Sequence, residues 1–250
     1  MGTTCNSAGG TGYYNAFATY LPSECTLDKP LPFIISHETF HTWNKPELFS
    51  YAEKGERYYY WFSEGFTNYY TNLLNLRAGI VSFPEYIKDY NKTLEEYYTS
   101  PTRSGTIEEV DKKFWEDNFF KSLPYQQGEI LAHNWNVQIK KYTHNKASLD
   151  NLMQAVILTG KDKPLELETL YELARKAHIT KADSDIKDIY EGRLLMPDPN
   201  SLGPCVHQEI KMLAARGKHK LISVPQFILD KKQWESHRKT CMAWFNLCKL

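Results

Sequence analysis

No stretch of this chain restricts its fold as much as His37-Glu38-Thr39-Phe40-His41. Residues four apart on an α-helix lie about 40° apart around the axis and roughly 6 Å along it. Both imidazoles therefore face one point when the stretch is helical, with Glu38 beside them. Phe33, Ile34, Ile35, Phe40 and Trp43 form an apolar stripe at helical spacing, which predicts a largely buried helix over residues 33–44, closed by Pro46. Buried imidazoles need partners. Two neutral nitrogen donors with a carboxylate near, but not on, the metal are what a zinc ion that activates water requires. Two unrelated histidines one turn apart are the alternative, and roughly one chain in a hundred of this length would show the pattern by chance.

A zinc site with two histidines needs a third protein ligand and an open position. Glu64, within Trp61-Phe62-Ser63-Glu64-Gly65-Phe66-Thr67-Asn68-Tyr69-Tyr70, falls on the next helical pattern, about residues 59–77, with Gly79 at its C-terminus. A short connection makes successive helices antiparallel neighbours, so this carboxylate can return to the histidines. The alternative is a solvated carboxylate at a helix N-terminus, and the aromatic flanks weigh against it.

Further helical patterns cover residues 83–98 with Pro84 in the first turn, 126–142 after Pro124, 149–158 up to Gly160, 165–177, and 184–191 up to Gly192. Residues 100–105 read as a loop. Pro197, Pro199, Gly203 and Pro204 end the helical body. Residues 210–227 combine a helical start with a β-prone segment, and the tail from Lys231 is helix-compatible.

Thirty Lys and Arg balance thirty Asp and Glu, which excludes an unspecific polyanion binder. The basic run Lys211–Lys220 reads as a solvated face, so no nucleic-acid partner is expected. No apolar run approaches the roughly 20 residues of a membrane helix, and no membrane partner is expected either. Neither a basic n-region nor an apolar h-region of a leader is visible at the N-terminus. The composition, 42% hydrophobic and 24% charged, is that of a soluble globular chain. Seventeen Tyr, twelve Phe and six Trp point to large buried contacts or a lined cleft. Cys5, Cys25, Cys205, Cys241 and Cys248 form no C-x-x-C pair; Cys5 with Cys25, or Cys241 with Cys248, could pair in an oxidising compartment. His133, His144, His178, His207, His219 and His237 show no ligand spacing, and Asn91-Lys92-Thr93 fits a glycosylation sequon.

The block from His37 to Asn44, followed by the block from Trp61 to Tyr70, closely resembles the glycyl aminopeptidase family of gluzincin zinc metallopeptidases; Trp43-Asn44 after the second histidine is especially characteristic. The likeness extends less sharply to Tyr190-Glu191-Gly192 and Leu202-Gly203-Pro204. It implies a mainly α (α+β) fold: a thermolysin-like gluzincin catalytic domain, chiefly its helical half with a short N-terminal edge-strand region. That unit would span residues 1–204, with 205–250 a C-terminal extension of mixed helix and strand. The family's upstream β-rich domain would not fit before residue 9, so either the chain continues upstream or the zinc helix is covered differently.

The resemblance also implies one zinc ion on His37, His41 and Glu64, Glu38 as general base, and a peptide substrate. Related aminopeptidases carry a tyrosine followed two residues later by Lys-Gly. Tyr125-Gln126-Gln127-Gly128 matches except at Gln127, which implies that Tyr125 donates a hydrogen bond to the developing oxyanion. Gly9 and Gly10 stand where the family has a Gly-Gly run that pairs with substrate backbone. The acidic residue that follows in the family, which binds the substrate's α-amine, is absent until Glu24. An aminopeptidase is the implied activity; an endopeptidase or dipeptidase, or a zinc-binding interaction module without turnover, are the alternatives.

Overall fold

Helices dominate the described residues, which in this computed structural model are 9–13, 16–20, 30–50, 54–217 and 219–246. Cys5, Glu24, Cys25 and Cys248 lie outside them. In chain order the elements are β1 (Gly9–Tyr13), β2 (Ala16–Tyr20), α1 (Pro30–Phe40), α2 (Tyr60–Ser63), α3 (Gly65–Arg77), α4 (Phe83–Thr99), α5 (Ile107–Lys113), α6 (Asn118–Tyr142), α7 (Leu149–Thr159), α8 (Leu167–Lys176), α9 (Ala182–Tyr190), β3 (Val206–Ala214), β4 (Leu221–Leu229) and α10 (Lys231–Ala243). Each strand pair is an antiparallel hairpin, with Gly10 opposite Thr19 in the first and Ile210 opposite Pro225 in the second. The fold is mainly α with small β elements, as expected.

Aromatic residues fill the centre. Trp61, Phe62, Phe66 and Trp135 are fully buried. Their rings meet edge-on or stacked at 4.5–6.3 Å, where α2, α3 and α6 converge. Two glycines set how closely those helices cross. A Cβ on Gly128 would strike the Trp61 carbonyl and lie 2.7 Å from the Gly65 Cα, and one on Gly65 would meet the Gly128 backbone.

Several boundaries differ from expectation, each for a physical reason. α1 ends at Phe40, because the N–H groups of Trp43 and Asn44 both turn back to the Phe40 carbonyl in a tight turn. Its burial is also partial: Ile35 is 41% exposed, and only the end carrying His37, Glu38 and Phe40 is covered. α6 begins at Asn118, capped by the Asp117 carboxylate, and runs through Pro124 rather than opening after it. The buried Phe120 and Leu123 anchor that first stretch despite the backbone bond the proline cannot donate. α5 was not anticipated, although Thr106 and Glu109 form a reciprocal capping box at its start. α8 starts at Leu167 because Leu165 pairs with the backbone of Leu48 and Ser50. Ile210 opens no helix; it lies within β3.

Cys241 bonds to Cys205, with Cα atoms 5.5 Å apart, so the Cys241–Cys248 pairing does not occur. The Asn91 side chain donates to the Phe227 carbonyl (2.8 Å) and accepts from the Phe227 N–H (2.7 Å). In the folded chain this sequon asparagine is therefore occupied by β4.

Candidate metal centre

The end of α1 and the junction of α2 with α3 bring three donors together. His37 lies in the last turn of α1, and His41 one turn on, where its N–H still bonds the His37 carbonyl at 3.3 Å. Glu64 sits between α2 and α3 with its N–H on the Tyr60 carbonyl and its own carbonyl accepting from Asn68, both at 2.9 Å. The helical run thus passes through Glu64 and fixes its side-chain direction. All three residues are at most 9% exposed.

The donor atoms fit a tetrahedral ion. His37 Nε2 is 3.2 Å from His41 Nε2 and 3.2 Å from Glu64 Oε2, and His41 Nε2 is 3.4 Å from Glu64 Oε2. Bonds of about 2.0–2.1 Å to zinc give donor–donor edges of about 3.3 Å in a tetrahedron. His41 Nδ1 lies 3.1 Å from the Asn44 carbonyl; because a carbonyl only accepts, Nδ1 carries the hydrogen and Nε2 turns its lone pair to the shared point. His37 Nδ1 is buried without a hydrogen-bond partner among the described residues.

Charge is balanced within the cluster. Burial pushes the Glu64 carboxyl up, but hydrogen bonds and positive charge from His37 and His41 outweigh it and bring it down to about 2. Burial pulls the His41 imidazole down, yet the bond to Glu64 and its charge leave it raised. Glu38 is raised chiefly by burial, against the opposing pull of His37 and His41. A carboxylate so placed is a better base than a solvated one.

Tyr125 arrives from α6, one turn before the Gly65–Gly128 crossing. Its ring stacks 6.3 Å from that of His37, and the Glu64 carboxylate is close enough to act on its phenol. Burial and the charge of Glu64 raise that phenol well above its ordinary range, so it stays protonated and able to donate. Gly10 of β1 lies against Glu38: a Cβ there would sit 2.5 Å from the Glu38 Oε1. Gly10, His37, Glu38 and Tyr125 line one cleft of about 420 Å³. Gly9 is the β1 residue preceding Gly10.

Three contributors escape a reading of the sequence. Asn44, fully buried, donates from Nδ2 to the carbonyls of Phe62 and Ser63 (3.1 Å each) and faces Thr67 Oγ1 at 3.0 Å. It ties the turn after His41 to the residues just before Glu64. Tyr60, beside Glu56 and Glu64, has its phenol pushed up to about 12, first by burial and then by those carboxylates. Glu129 lines the same cleft from α6. Asn44 stands in the family-like block; nothing in the sequence marked the other two.

Residues 32–130 match the sequence model of the family described as M61 glycyl aminopeptidase. The aminopeptidase N family protein from Idiomarina loihiensis shares the fold, with a TM-score of 0.64 at 18% sequence identity. That match covers 83% of this chain and 40% of the other, so this chain spans well under half the length of that neighbour. No curated protein matches. The segment that matches this family model, residues 32–130, holds His37, Glu38, His41, Glu64 and Tyr125 together.

Proposed function

We propose that this chain is a zinc-dependent peptidase of the aminopeptidase type. The observation that carries the reading is the buried triangle of His37, His41 and Glu64 donors at tetrahedral-edge distances, with a raised carboxyl at Glu38 next to it. Those three residues would hold the ion, which when bound supplies a Lewis acid for the substrate carbonyl and a lowered pKa for water.

The chain's own groups do the rest. Glu38 accepts the proton of the attacking water and passes it to the leaving amine. Tyr125 keeps its proton on the phenolic oxygen and donates a hydrogen bond to the oxygen that becomes negative. Gly10, without a side chain, leaves the β1 edge open above Glu38 for an extended substrate backbone. The aromatic floor under α2 and α3 keeps water out from below.

Replacing Glu38 tests this directly. Glu38→Gln should bind zinc one to one by metal analysis while peptide hydrolysis falls by at least about a thousandfold, because proton transfer is lost and the ligands are not. Hydrolysis that persists in that variant would remove Glu38 from the role. An endopeptidase is the second reading, because β1 and β2 carry no carboxylate for an α-amine. Equal rates on N-acetylated and free peptides would favour it.

A further inference from the structure

We propose that Glu129 recognises an ammonium group of the substrate, so that the preferred peptides carry an amine close to the scissile bond. The proposal rests on the peptidase reading above and deepens it. Glu129 lies one helical turn beyond Tyr125 on α6, about 6 Å along the axis. Ser122, Tyr125, Gln126 and Glu129 present one face of that helix to the cleft containing His37 and Glu38.

The carboxylate is almost wholly buried, at 2% exposure. Asn72 Nδ2 donates to its Oε1 at 2.9 Å, and Thr93 Oγ1 to its Oε2 at 3.0 Å. Both donors are neutral. The charges acting on it are those of Asp89 and Glu96, which are carboxylates too. No cation among the described residues forms an ion pair with Glu129. Lys121, on the cleft rim, stands 5.4 Å over the Trp115 ring. A buried carboxylate with neutral donors and like-charged neighbours lacks a cation, and the cleft is where one can enter. Burial accordingly raises its carboxyl to about 7. This places negative charge where β1 and β2 supply none. The shared chemistry is an ammonium group, from either an α-amine or a lysine side chain.

Binding to the zinc-loaded chain tests the proposal independently of turnover. Three probes are titrated calorimetrically: alanine hydroxamate, Nα-acetyl-lysine hydroxamate and N-acetyl-alanine hydroxamate. At least one amine-bearing probe should bind tenfold or more tighter than N-acetyl-alanine hydroxamate, and a gap carried by the acetyl-lysine probe, whose ammonium keeps its proton, should widen from pH 6 to 8 as Glu129 ionises. Glu129→Gln should erase that gap and leave the acetyl-alanine probe within twofold, and Glu129→Asp, which keeps the charge, should retain part of it. Loss confined to alanine hydroxamate assigns the α-amine; loss confined to the acetyl-lysine probe assigns the side chain. Equal affinity of all three for the unaltered chain overturns the proposal, as does a uniform loss in Glu129→Gln or no binding at all. Should Glu129→Gln fail to fold, Glu129→Asp decides: a narrowed gap with the acetyl-alanine probe unchanged supports the proposal, and an undiminished gap or a uniform loss overturns it. Tight, Glu129-dependent binding without any peptide hydrolysis would instead sink the peptidase reading alone.

Discussion

One side-chain amide, that of Asn44, couples the two halves of the candidate metal centre. Its bonds reach the carbonyls of Phe62 and Ser63 at 3.1 Å, and its backbone carbonyl accepts from His41 Nδ1 at 3.1 Å. Asn44→Ala would leave those two buried carbonyls without this donor and free the turn after His41 from the Glu64 segment. We expect a stability loss of about 2–3 kcal/mol in urea denaturation. Zinc affinity should fall about 10–100-fold in chelator competition, as for outer-shell partners of metal ligands. Unchanged zinc affinity would show that the two halves are held by packing alone. The residue scale also shows what a sequence can disclose. His37, His41 and Glu64 were legible because side-chain identity and helical spacing carry their chemistry. Asn44 was visible as a letter in Trp43-Asn44, but its partners are main-chain carbonyls 18 and 19 residues away, which leave no residue-type pattern. Glu129 was hidden for a related reason: Asn72 and Thr93 reach it from two other helices, and only the packing makes it buried and unpaired with a cation.

Helix crossings decide where those residues meet. Glu64 immediately precedes Gly65, and Tyr125 precedes Gly128 by three residues, so the close α3–α6 approach is what sets the phenol beside the carboxylate. Gly128→Ala would drive a methyl group into the Trp61 carbonyl. Backbone cannot yield as a flexible side chain does, so the crossing must open. The expected cost is about 3 kcal/mol or more, read as a lowered denaturation midpoint. Loss of activity should accompany it even where the chain still folds, while Gly79→Ala, far from any neighbour, should leave the α3–α6 contact intact. A Gly128→Ala variant of full stability would mean that the helices do not cross this closely. Local signals served the elements unevenly. Pro84, Gly79 and Gly192 marked ends correctly because proline and positive-φ glycine act within a few residues. Pro124 misled because two buried side chains upstream outweigh one missing backbone bond. The Thr106–Glu109 box was legible and unread, whereas Ile210 joined a strand because β4 was there to pair with it, which is a property of the tertiary fold.

At the scale of the molecule, the segment after residue 205 clasps α4. Asn91 grips the Phe227 backbone, the Arg216 N–H reaches the Thr99 carbonyl at 2.9 Å, and Phe227, Trp234 and Phe245 pack on Tyr90, Phe83 and Tyr86. The Cys205–Cys241 bond closes this clasp by joining the start of β3 to α10 across 36 residues. A loop of that length restricts the unfolded chain by about 3–4 kcal/mol. The double variant Cys205→Ala, Cys241→Ala should therefore unfold at a lower denaturant concentration by about that much, and reductant should bring the unaltered chain to the same midpoint. Zinc stoichiometry should stay at one per chain, because His37, His41 and Glu64 sit on α1 and the α2–α3 junction, and neither packs through this disulfide. Affinity for an amine-bearing hydroxamate is the more sensitive readout. α4 carries Asn91 to the clasp and, two residues on, Thr93 to Glu129, so a loosened clasp should weaken that probe before it affects the metal. Midpoints that coincide with and without the disulfide would show that aromatic packing on α4 holds the clasp by itself.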